Sequence, residues 1–179
     1  MTTSVLGAVI EMVTEEGMAA VTMDAVAARA GVSKPAIYRR WPTKQDLVIA
    51  AAESRIGTLS VPDLGNFRDE LREILSARLE AYRRPGTDRL LAELMRAAQD
   101  PTSRAPYAAY SERIMAETRS VLERGIARGD VRADVDVRSA ATLVAGPLVF
   151  RLLGERERPD EHFVDDLVDL VARAVCVAP

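Results

Sequence analysis

Residues 22–47 read TMDAVAARAGVSKPAIYRRWPTKQDL, a stretch in which helix start and stop signals follow one another closely. Thr22 is a good N-cap for a helix, and Gly31 ends that helix after about two turns. Ser33 can cap a second, short helix. Pro35 is tolerated in its first turn, because the earliest backbone N–H groups of a helix have no intrahelical partner. The stretch therefore predicts two helices joined by a tight glycine turn.

The cations of this stretch are clustered, although the whole chain is mildly acidic. Its formal net charge is -3, which gives no general attraction to nucleic acid. Within the stretch, however, four cations follow one another with no acid among them: Lys34, Arg39, Arg40 and Lys44. Any binding to nucleic acid must therefore come from this local cluster.

The side chains on and after the short helix suit a DNA major groove. A helix, a glycine-containing turn and a short capped helix form a helix-turn-helix, whose second helix enters that groove. Arg39 and Arg40 can form bidentate hydrogen bonds with guanine or phosphate, and Lys34 supplies a mobile cation. The small Ala36 permits close approach to a thymine methyl, and the Tyr38 hydroxyl can bond to phosphate. The sequence thus favours double-stranded DNA as the partner.

The next helix begins with a second group of anion-binding donors. Pro42 ends the short helix and Thr43 caps the following one. The first amide N–H groups of that helix, together with Lys44, can hold a phosphate. On residue types alone, the alternative is a surface helical hairpin with solvated charges. Most basic clusters are of that kind.

A family pattern distinguishes between these two interpretations. The stretch closely resembles the DNA-binding domain of TetR-type bacterial repressors, strongly over residues 5–52 and only in architecture beyond them. The matching positions include Thr22, Val26, Ala27, Ala30, Gly31, Val32, Ser33, Ile37, Tyr38, Thr43, Lys44 and Leu47. The resemblance implies that Lys44 holds phosphate and that the groove is lined by Lys34, Pro35, Ala36, Tyr38, Arg39 and Arg40. The predicted DNA-binding residues are Thr22, Ser33, Lys34, Pro35, Ala36, Tyr38, Arg39, Arg40, Thr43 and Lys44.

The chain departs from the family pattern at two places. Trp41 stands where the family more often has phenylalanine, and we expect it to fill the domain core in the same way. Many relatives have a basic arm before the first helix, whereas residues 1–9 read MTTSVLGAV. A minor-groove contact by such an arm is therefore not expected, unless the sequence begins inside a longer protein.

The rest of the 179 residues also reads as helices. Hydrophobic residues make up 48% and charged residues 28%, which is typical of a globular protein rather than a disordered one. Apolar residues recur at helical spacing, and beyond the quoted stretch they do so within residues 5–13, 67–82, 90–98, 107–122, 137–153 and 163–174. We predict an all-α fold of about nine helices.

The predicted helices divide into two functional domains. A three-helix helix-turn-helix domain is assigned to residues 1–45. A helical effector-binding and dimerisation domain is assigned to residues 46–179. Residues 57–66 contain two glycines, a proline and an aspartate, and are the best candidate for a linker.

The last two predicted helices carry more apolar surface than one small helical domain readily covers. This excess indicates a homodimer through them. The predicted interface consists of Ala140, Val144, Leu148, Phe163, Leu167, Leu170, Val171 and Ala174.

The resemblance also implies that the fifth to seventh helices enclose a cavity for a small, largely apolar effector. The candidate lining residues are Leu75, Leu79, Met95, Tyr107, Tyr110, Ile114, Met115 and Phe150. Each of them could equally be ordinary core packing. The alternative function is a DNA-binding dimer whose C-terminal domain only dimerises or answers a protein partner.

Catalytic, cofactor and metal sites are not expected. His162 is the single histidine, and the segment PDEHFVDD surrounds it with Asp160, Glu161, Asp165 and Asp166. These residues could form either a metal site or a solvated helix start, where negative charge is favoured by the helix dipole. The second interpretation is preferred. The sequence also has no Ser-His-Asp set, nucleophilic cysteine motif or glycine-rich phosphate loop.

No apolar run reaches the ~18 residues that a membrane span needs, so no membrane partner is expected. Taken together, the residues and the resemblance predict a cytoplasmic, ligand-responsive transcriptional repressor. It would bind a palindromic operator as a dimer and be released by a small-molecule effector.

Overall fold

The computed structural model describes residues 2–57, 60–99, 101 and 104–177, and these form nine α-helices. The helices are α1 (Thr2–Glu15), α2 (Met23–Ala30), α3 (Lys34–Tyr38), α4 (Lys44–Ile56), α5 (Phe67–Arg83), α6 (Thr87–Ala97), α7 (Arg104–Arg128), α8 (Val137–Leu153) and α9 (Glu161–Val175). Across these ranges, β-structure is confined to an isolated antiparallel bridge between Val131 and Cys176. The predicted all-α class is confirmed for the described residues.

The chain folds into two compact units. The first consists of Met1–Gly57 and Arg84–Ser111, and the second of Thr58–Arg83 and Glu112–Pro179. Helix α6 therefore belongs to the first unit, where it packs against α4 and α1. These units do not coincide with the functional ranges 1–45 and 46–179, which stay a prediction about function.

In the first unit, the loop before α6 is bonded to the ends of α1 and α4. The Thr14 hydroxyl and the Arg55 guanidinium both donate to the carbonyl oxygen of Pro85, at 3.2 and 2.9 Å. Arg84 donates in return to the Arg55 carbonyl at 2.9 Å. Gly86 has φ 81°, and a Cβ there would lie 2.3 Å from the Thr14 hydroxyl oxygen. The close approach of this loop to α1 therefore requires glycine.

In the second unit, α5 packs against both α8 and α9, which also pack against each other. The apolar face of α5 is fully buried at Leu71, Ile74 and Leu75, and α9 buries Val168 and Val171. Burying one such side chain stabilises a fold by about 1.5–3 kcal/mol relative to leaving it exposed. The α5 and α9 stripes therefore form much of this unit's core.

Charged residues flank the contact between α5 and α9. The pairs, which run in antiparallel order along the two helices, are Arg68–Asp169, Arg72–Asp165 and Arg83–Glu161. The Arg83 guanidinium hydrogen-bonds the Glu161 carboxylate and lowers its pKa to about 2. Two of the acids predicted to form a solvated helix start are therefore paired with α5. Because the pairs are partly exposed, each contributes little to stability.

The predicted linker lies between α4 and α5, and its residues 58 and 59 lie outside the described residues. Its later part is held by the fully buried carboxylate of Glu70, which accepts a hydrogen bond from the Leu64 amide at 3.1 Å. Arg124 and Arg128 pair with the same carboxylate at 2.9 Å each. This buried acid is thus compensated by two guanidinium groups, as a buried charge requires.

Candidate nucleic-acid interface

Helices α2 and α3 form the helix-turn-helix that the sequence predicts. The Thr22 side chain caps α2 by accepting a hydrogen bond from the Ala25 amide at 3.2 Å. Gly31 ends α2 in the left-handed conformation, with φ 65°. The Val32 amide then donates to the Ala27 carbonyl at 3.0 Å, which closes the turn. Helix α3 starts three residues after Gly31 and is only five residues long.

Two buried side chains anchor α3 to the rest of its unit. Ile37 lies in the middle of α3 and is fully buried, and Trp41, just after it, is only 7% exposed. The Trp41 amide donates to the Ile37 carbonyl at 2.9 Å. The expectation that Trp41 fills the core is confirmed. The Arg40 guanidinium lies over the indole ring, and its carbon is 5.4 Å from the ring centroid.

The opposite face of α3 is open to solvent. Tyr38 is 42% exposed, Ala36 and Lys34 are partly buried, and the remaining predicted side chains of residues 33–40 are exposed, namely Ser33, Pro35, Arg39 and Arg40. These predicted contact residues are thus wholly or partly accessible. We call residues 33–36 and 38–40 the α3 surface.

Both lysines of the predicted interface have partners within the first unit, which the sequence did not indicate. The Lys34 ammonium lies 2.8 Å from the Asp24 carboxylate and 6.0 Å from the Tyr38 ring centroid. The hydrogen bond to Asp24 raises the pKa of Lys34. The Lys44 ammonium donates to the Met18 carbonyl at 3.2 Å. A phosphate near Lys34 would therefore compete with Asp24.

Helix α4 begins with a capping box. The Asp46 amide donates to the Thr43 hydroxyl oxygen at 3.0 Å, and the Asp46 carboxylate accepts from the Thr43 amide at 3.1 Å. Two of the donors predicted for phosphate are thereby used inside the protein. The first-turn amides outside this box are those of Lys44 and Gln45, and they are the donors available to an anion.

The arginine on α2 points to a different partner. Arg29 pairs with Glu15 at 2.8 Å and with Glu16 at 2.6 Å, both at the end of α1. These bonds raise the pKa of Arg29. Arg29 is therefore paired with two acids within the first unit.

The predicted effector residues fall in both units. In the second unit, Leu75 and Leu79 are buried on α5, Ile114 and Met115 are partly buried on α7, and Phe150 is 65% exposed on α8. In the first unit, Met95 is exposed, Tyr110 is buried, and Tyr107 is partly buried with a pKa raised by burial. The Tyr107 and Tyr110 ring centroids are 6.5 Å apart.

Burial divides the predicted dimer residues. Five of them are buried within the protomer itself, namely Ala140, Val144, Leu148, Leu167 and Val171. Phe163 is partly buried beneath the Arg151 guanidinium, whose carbon lies 4.4 Å from its ring centroid. Leu170, 63% exposed, and Ala174 are accessible. Leu143 and Phe150 are also exposed on α8, although the interface prediction did not include them.

The acidic residues around His162 lie at the start of α9. Asp160 caps α9 by accepting from the Phe163 amide at 2.9 Å, and the exposed His162 lies 3.7 Å from Asp166. Among the described residues, no group of three or more His, Cys, Asp or Glu side chains could hold a metal ion. Within the same residues, every helix is too short or too polar to cross a membrane.

Family models match most of the chain. The model described as "Bacterial regulatory proteins, tetR family" matches residues 5–51, which include α2, α3 and most of α4. The model described as "Tetracyclin repressor-like, C-terminal domain" matches residues 61–171. The two matches together extend from α1 to α9, so the resemblance is not confined to the helix-turn-helix.

Individual relatives agree with these models. An uncharacterized HTH-type transcriptional regulator of Bacillus subtilis, YdeS, is 31% identical over 175 residues, 92% of this chain and 84% of the relative. The crystal structure of the TetR family transcription regulator SCO0332 is similar with a TM-score of 0.74 and 34% identity, covering 97% of each chain. FadR from Bacillus subtilis, solved with stearoyl-CoA, shares the fold alone, with 16% identity, a TM-score of 0.75 and coverage of 96% and 98%. The chain therefore belongs to the TetR family of helix-turn-helix transcriptional regulators.

Proposed function

We propose that the protein is a cytoplasmic repressor that binds a palindromic operator as a dimer and leaves it when a small molecule binds. The observation that carries the DNA-binding part is the division of the segment 33–41. Ile37 and Trp41 anchor it in the core, while Tyr38, Arg39 and Arg40 stay accessible. A short helix held in this way can enter the major groove without disturbing its own core.

We assign base recognition to the two arginines and positioning to the residues around them. Arg39 and Arg40 have guanidinium groups that can bond bidentately to guanine. Arg40 already lies over the Trp41 ring, which restricts its motion before DNA arrives. Pro35 and Ala36 allow close approach to the bases, and the Tyr38 hydroxyl bonds to phosphate.

Phosphate contacts hold the helix in register. Lys44 and the first amides of α4 form one such contact, and Lys34 forms another by exchanging Asp24 for a phosphate oxygen. Ser33 is exposed and makes no side-chain bond to its own helix, so its hydroxyl is free to act as a donor within the described structure. Thr22 and Thr43 cap their helices. We assign them mainly the role of fixing the helix ends beside the DNA sugar-phosphate backbone.

The proposed dimer uses the accessible apolar residues of the last two helices. Leu143 and Phe150 on α8, with Leu170 and Ala174 on α9, are exposed apolar side chains, whereas the other apolar residues of the two helices are buried or partly buried. Large exposed apolar side chains are typical of protein interfaces. A two-fold dimer places two α3 surfaces on one face of DNA when they lie about 34–36 Å apart.

We assign the response to a ligand to α4, the helix that directly follows the α3 surface. Helix α6 packs on α4 and α1 within the same unit. A shift of α4 or α6 would therefore move the helix-turn-helix. The effector needs only to bind the DNA-incompetent arrangement more tightly, and operator DNA must then weaken effector binding by the same factor. FadR, which has this fold, was solved with stearoyl-CoA, which supports a ligand in such a fold.

We expect Tyr38→Ala and Lys44→Ala to weaken operator binding without unfolding the protein, because Tyr38 is exposed and Lys44 makes a single hydrogen bond within the first unit, to the Met18 carbonyl. Lys44→Ala should also reduce the salt slope of log affinity by about one, since one fewer counterion is released. Fluorescence anisotropy on a selected operator, repeated over a range of salt concentrations, measures both effects.

Arg132→Ala is the matched control for charge. Arg132 is an exposed cation in the second unit, paired with Asp134, and its removal should leave affinity and salt slope unchanged. Equal slopes for the parent and Lys44→Ala would show that Lys44 does not contact phosphate. An equal loss of affinity and salt slope in Arg132→Ala would show that the change in Lys44→Ala comes from net charge alone.

A further inference from the structure

An arginine lies in the interior of the second unit. Arg78 is only 1% exposed and is on the apolar face of α5, between the buried Ile74 and Tyr82 one turn on either side. One terminal nitrogen, Nη2, donates to the Ile114 carbonyl at 3.0 Å and to the Thr118 hydroxyl at 2.7 Å. Thr118 is itself buried. The guanidinium is thus directed from α5 towards α7.

The other terminal nitrogen of Arg78 has no acceptor. Nη1 is buried and makes no hydrogen bond, and no carboxylate of the described residues pairs with the guanidinium. Glu70 on the same helix shows the contrast, because its buried charge is compensated by Arg124 and Arg128. An arginine in a protein stays charged, and an unpaired buried charge is costly. Such a group requires an explanation, and a missing anionic partner is the simplest.

The surroundings of Arg78 restrict what that partner can be. Leu75 and Leu79 on α5 and Leu122 on α7 are fully buried, and Thr118 adds a buried hydroxyl to this mostly apolar interior. The buried Tyr82 hydroxyl lies close enough for the charge on Arg78 to act on its pKa, lowering it against the larger rise caused by burial. A ligand here would meet the Arg78 cation, the Tyr82 phenol, the Thr118 hydroxyl and apolar side chains.

We propose that the second unit binds a small molecule with an apolar body and a single carboxylate, and that the carboxylate accepts a hydrogen bond from Arg78 Nη1. The inference rests on the proposed ligand response and names the chemical class of the effector. A monoanion balances the charge of one guanidinium. A phosphate dianion would leave an uncompensated negative charge in the same interior. Charge-assisted bonds of this kind are stronger than neutral ones.

Binding of chain-matched probes to the full chain tests the proposal. Calorimetric titration compares n-octanoate, n-decanoate and n-dodecanoate with the corresponding 1-alkanols and n-alkyl phosphates, below their micelle concentrations. We expect at least one carboxylate to bind about ten- to hundredfold more tightly than its alcohol and its phosphate. The proposal is overturned if no carboxylate shows this preference, or if a phosphate or an alcohol binds best.

Two substitutions separate a ligand-binding role from a structural one. Arg78→Met removes the charge at similar length and should abolish the carboxylate preference, while the melting temperature of the ligand-free protein stays the same or rises. Arg78→Gln keeps a donor for Thr118 and serves the same purpose if the methionine variant does not fold. Retention of the preference in the folded variant contradicts the proposal.

The titrations contain no DNA, so they are independent of the proposed repressor function. A carboxylate that binds through Arg78 but leaves operator affinity unchanged would contradict the ligand response and leave the site standing. An uncharged compound that releases the operator equally from the parent and from Arg78→Met would support the ligand response. It would contradict the assignment of a carboxylate as the effector.

Discussion

Replacing Trp41 with alanine is expected to lower the free energy of unfolding by about 3–5 kcal/mol, the usual cost of truncating a buried aromatic side chain. The indole is 7% exposed and lies directly behind α3, where it fills the core of the first unit together with Ile37. Loss of the indole leaves a cavity beneath α3 and removes the ring over which the Arg40 guanidinium lies. Urea denaturation, followed by circular dichroism, measures the change.

Two variants serve as controls for this prediction. Trp41→Phe keeps an aromatic side chain and should retain most of the stability, since the family more often has phenylalanine at this position. Tyr38→Ala removes an accessible ring from α3 and should change the free energy of unfolding little. An alanine variant as stable as the parent would show that Trp41 does not anchor the helix.

The second large effect is expected at the proposed dimer surface. Replacing Phe150 and Leu170 together with aspartate should dissociate the dimer, because the two exposed apolar side chains become charges that the partner cannot compensate. Operator affinity should then fall by about a hundredfold or more, since the two half-sites are no longer bound by one linked pair of domains. Analytical ultracentrifugation and anisotropy on the same samples measure the two effects.

Leu64→Asp is the matched control, because Leu64 is likewise a large exposed apolar residue of the second unit but lies between α4 and α5. It should leave the dimer intact. A double aspartate variant that sediments like the parent and binds operator equally well would remove this surface from the dimer. A monomeric parent protein at micromolar concentration would contradict the dimer altogether.

The helices of the first unit could be predicted because their ends depend on local chemistry. A threonine N-cap, a glycine in the left-handed conformation and a second threonine cap are signals carried by single residues, and all three act as expected at Thr22, Gly31 and Thr43. Burial of Trp41 could be expected from the resemblance, because the family more often has phenylalanine at this position. The α3 surface follows from the same pattern.

The orientation of α8 could not be predicted. The helix is apolar around most of its circumference, so helical spacing does not separate the side facing the protomer from the side facing a partner. Val144 and Leu148 were therefore assigned to the dimer, although they are buried in the protomer, while Leu143 was left out. Burial within one chain has to be known before a surface between two chains can be named.

Partners distant in sequence were also beyond prediction. Arg83 and Glu161 are 78 residues apart, and the ends of such a pair meet only after α5 packs on α9. Arg78 is a partial exception. It falls four residues after Ile74 and four before Tyr82, on a helical stripe that is otherwise apolar, so its burial could have been suspected. Its missing partner could not.

The effector residues illustrate a further limit. Helical spacing identifies Leu75, Leu79 and Ile114 as inward-facing, but a lining residue and a core residue have the same spacing. The effector prediction includes Phe150, whose exposure is more compatible with the proposed dimer surface. A buried polar group that the apolar core does not require, such as the Arg78 guanidinium, indicates a ligand more strongly than apolar spacing does.

The most direct test of the central claim, that the α3 surface reads DNA, is selection of binding sequences from random DNA. The parent should enrich a palindrome whose half-sites are one helical turn apart, about 34–36 Å. Arg39→Ala or Arg40→Ala should enrich a different or relaxed half-site, with discrimination reduced by about 1–3 kcal/mol at the affected base pair. Both variants enriching the parent's sequence with the parent's affinity, or the parent enriching none, would contradict the claim.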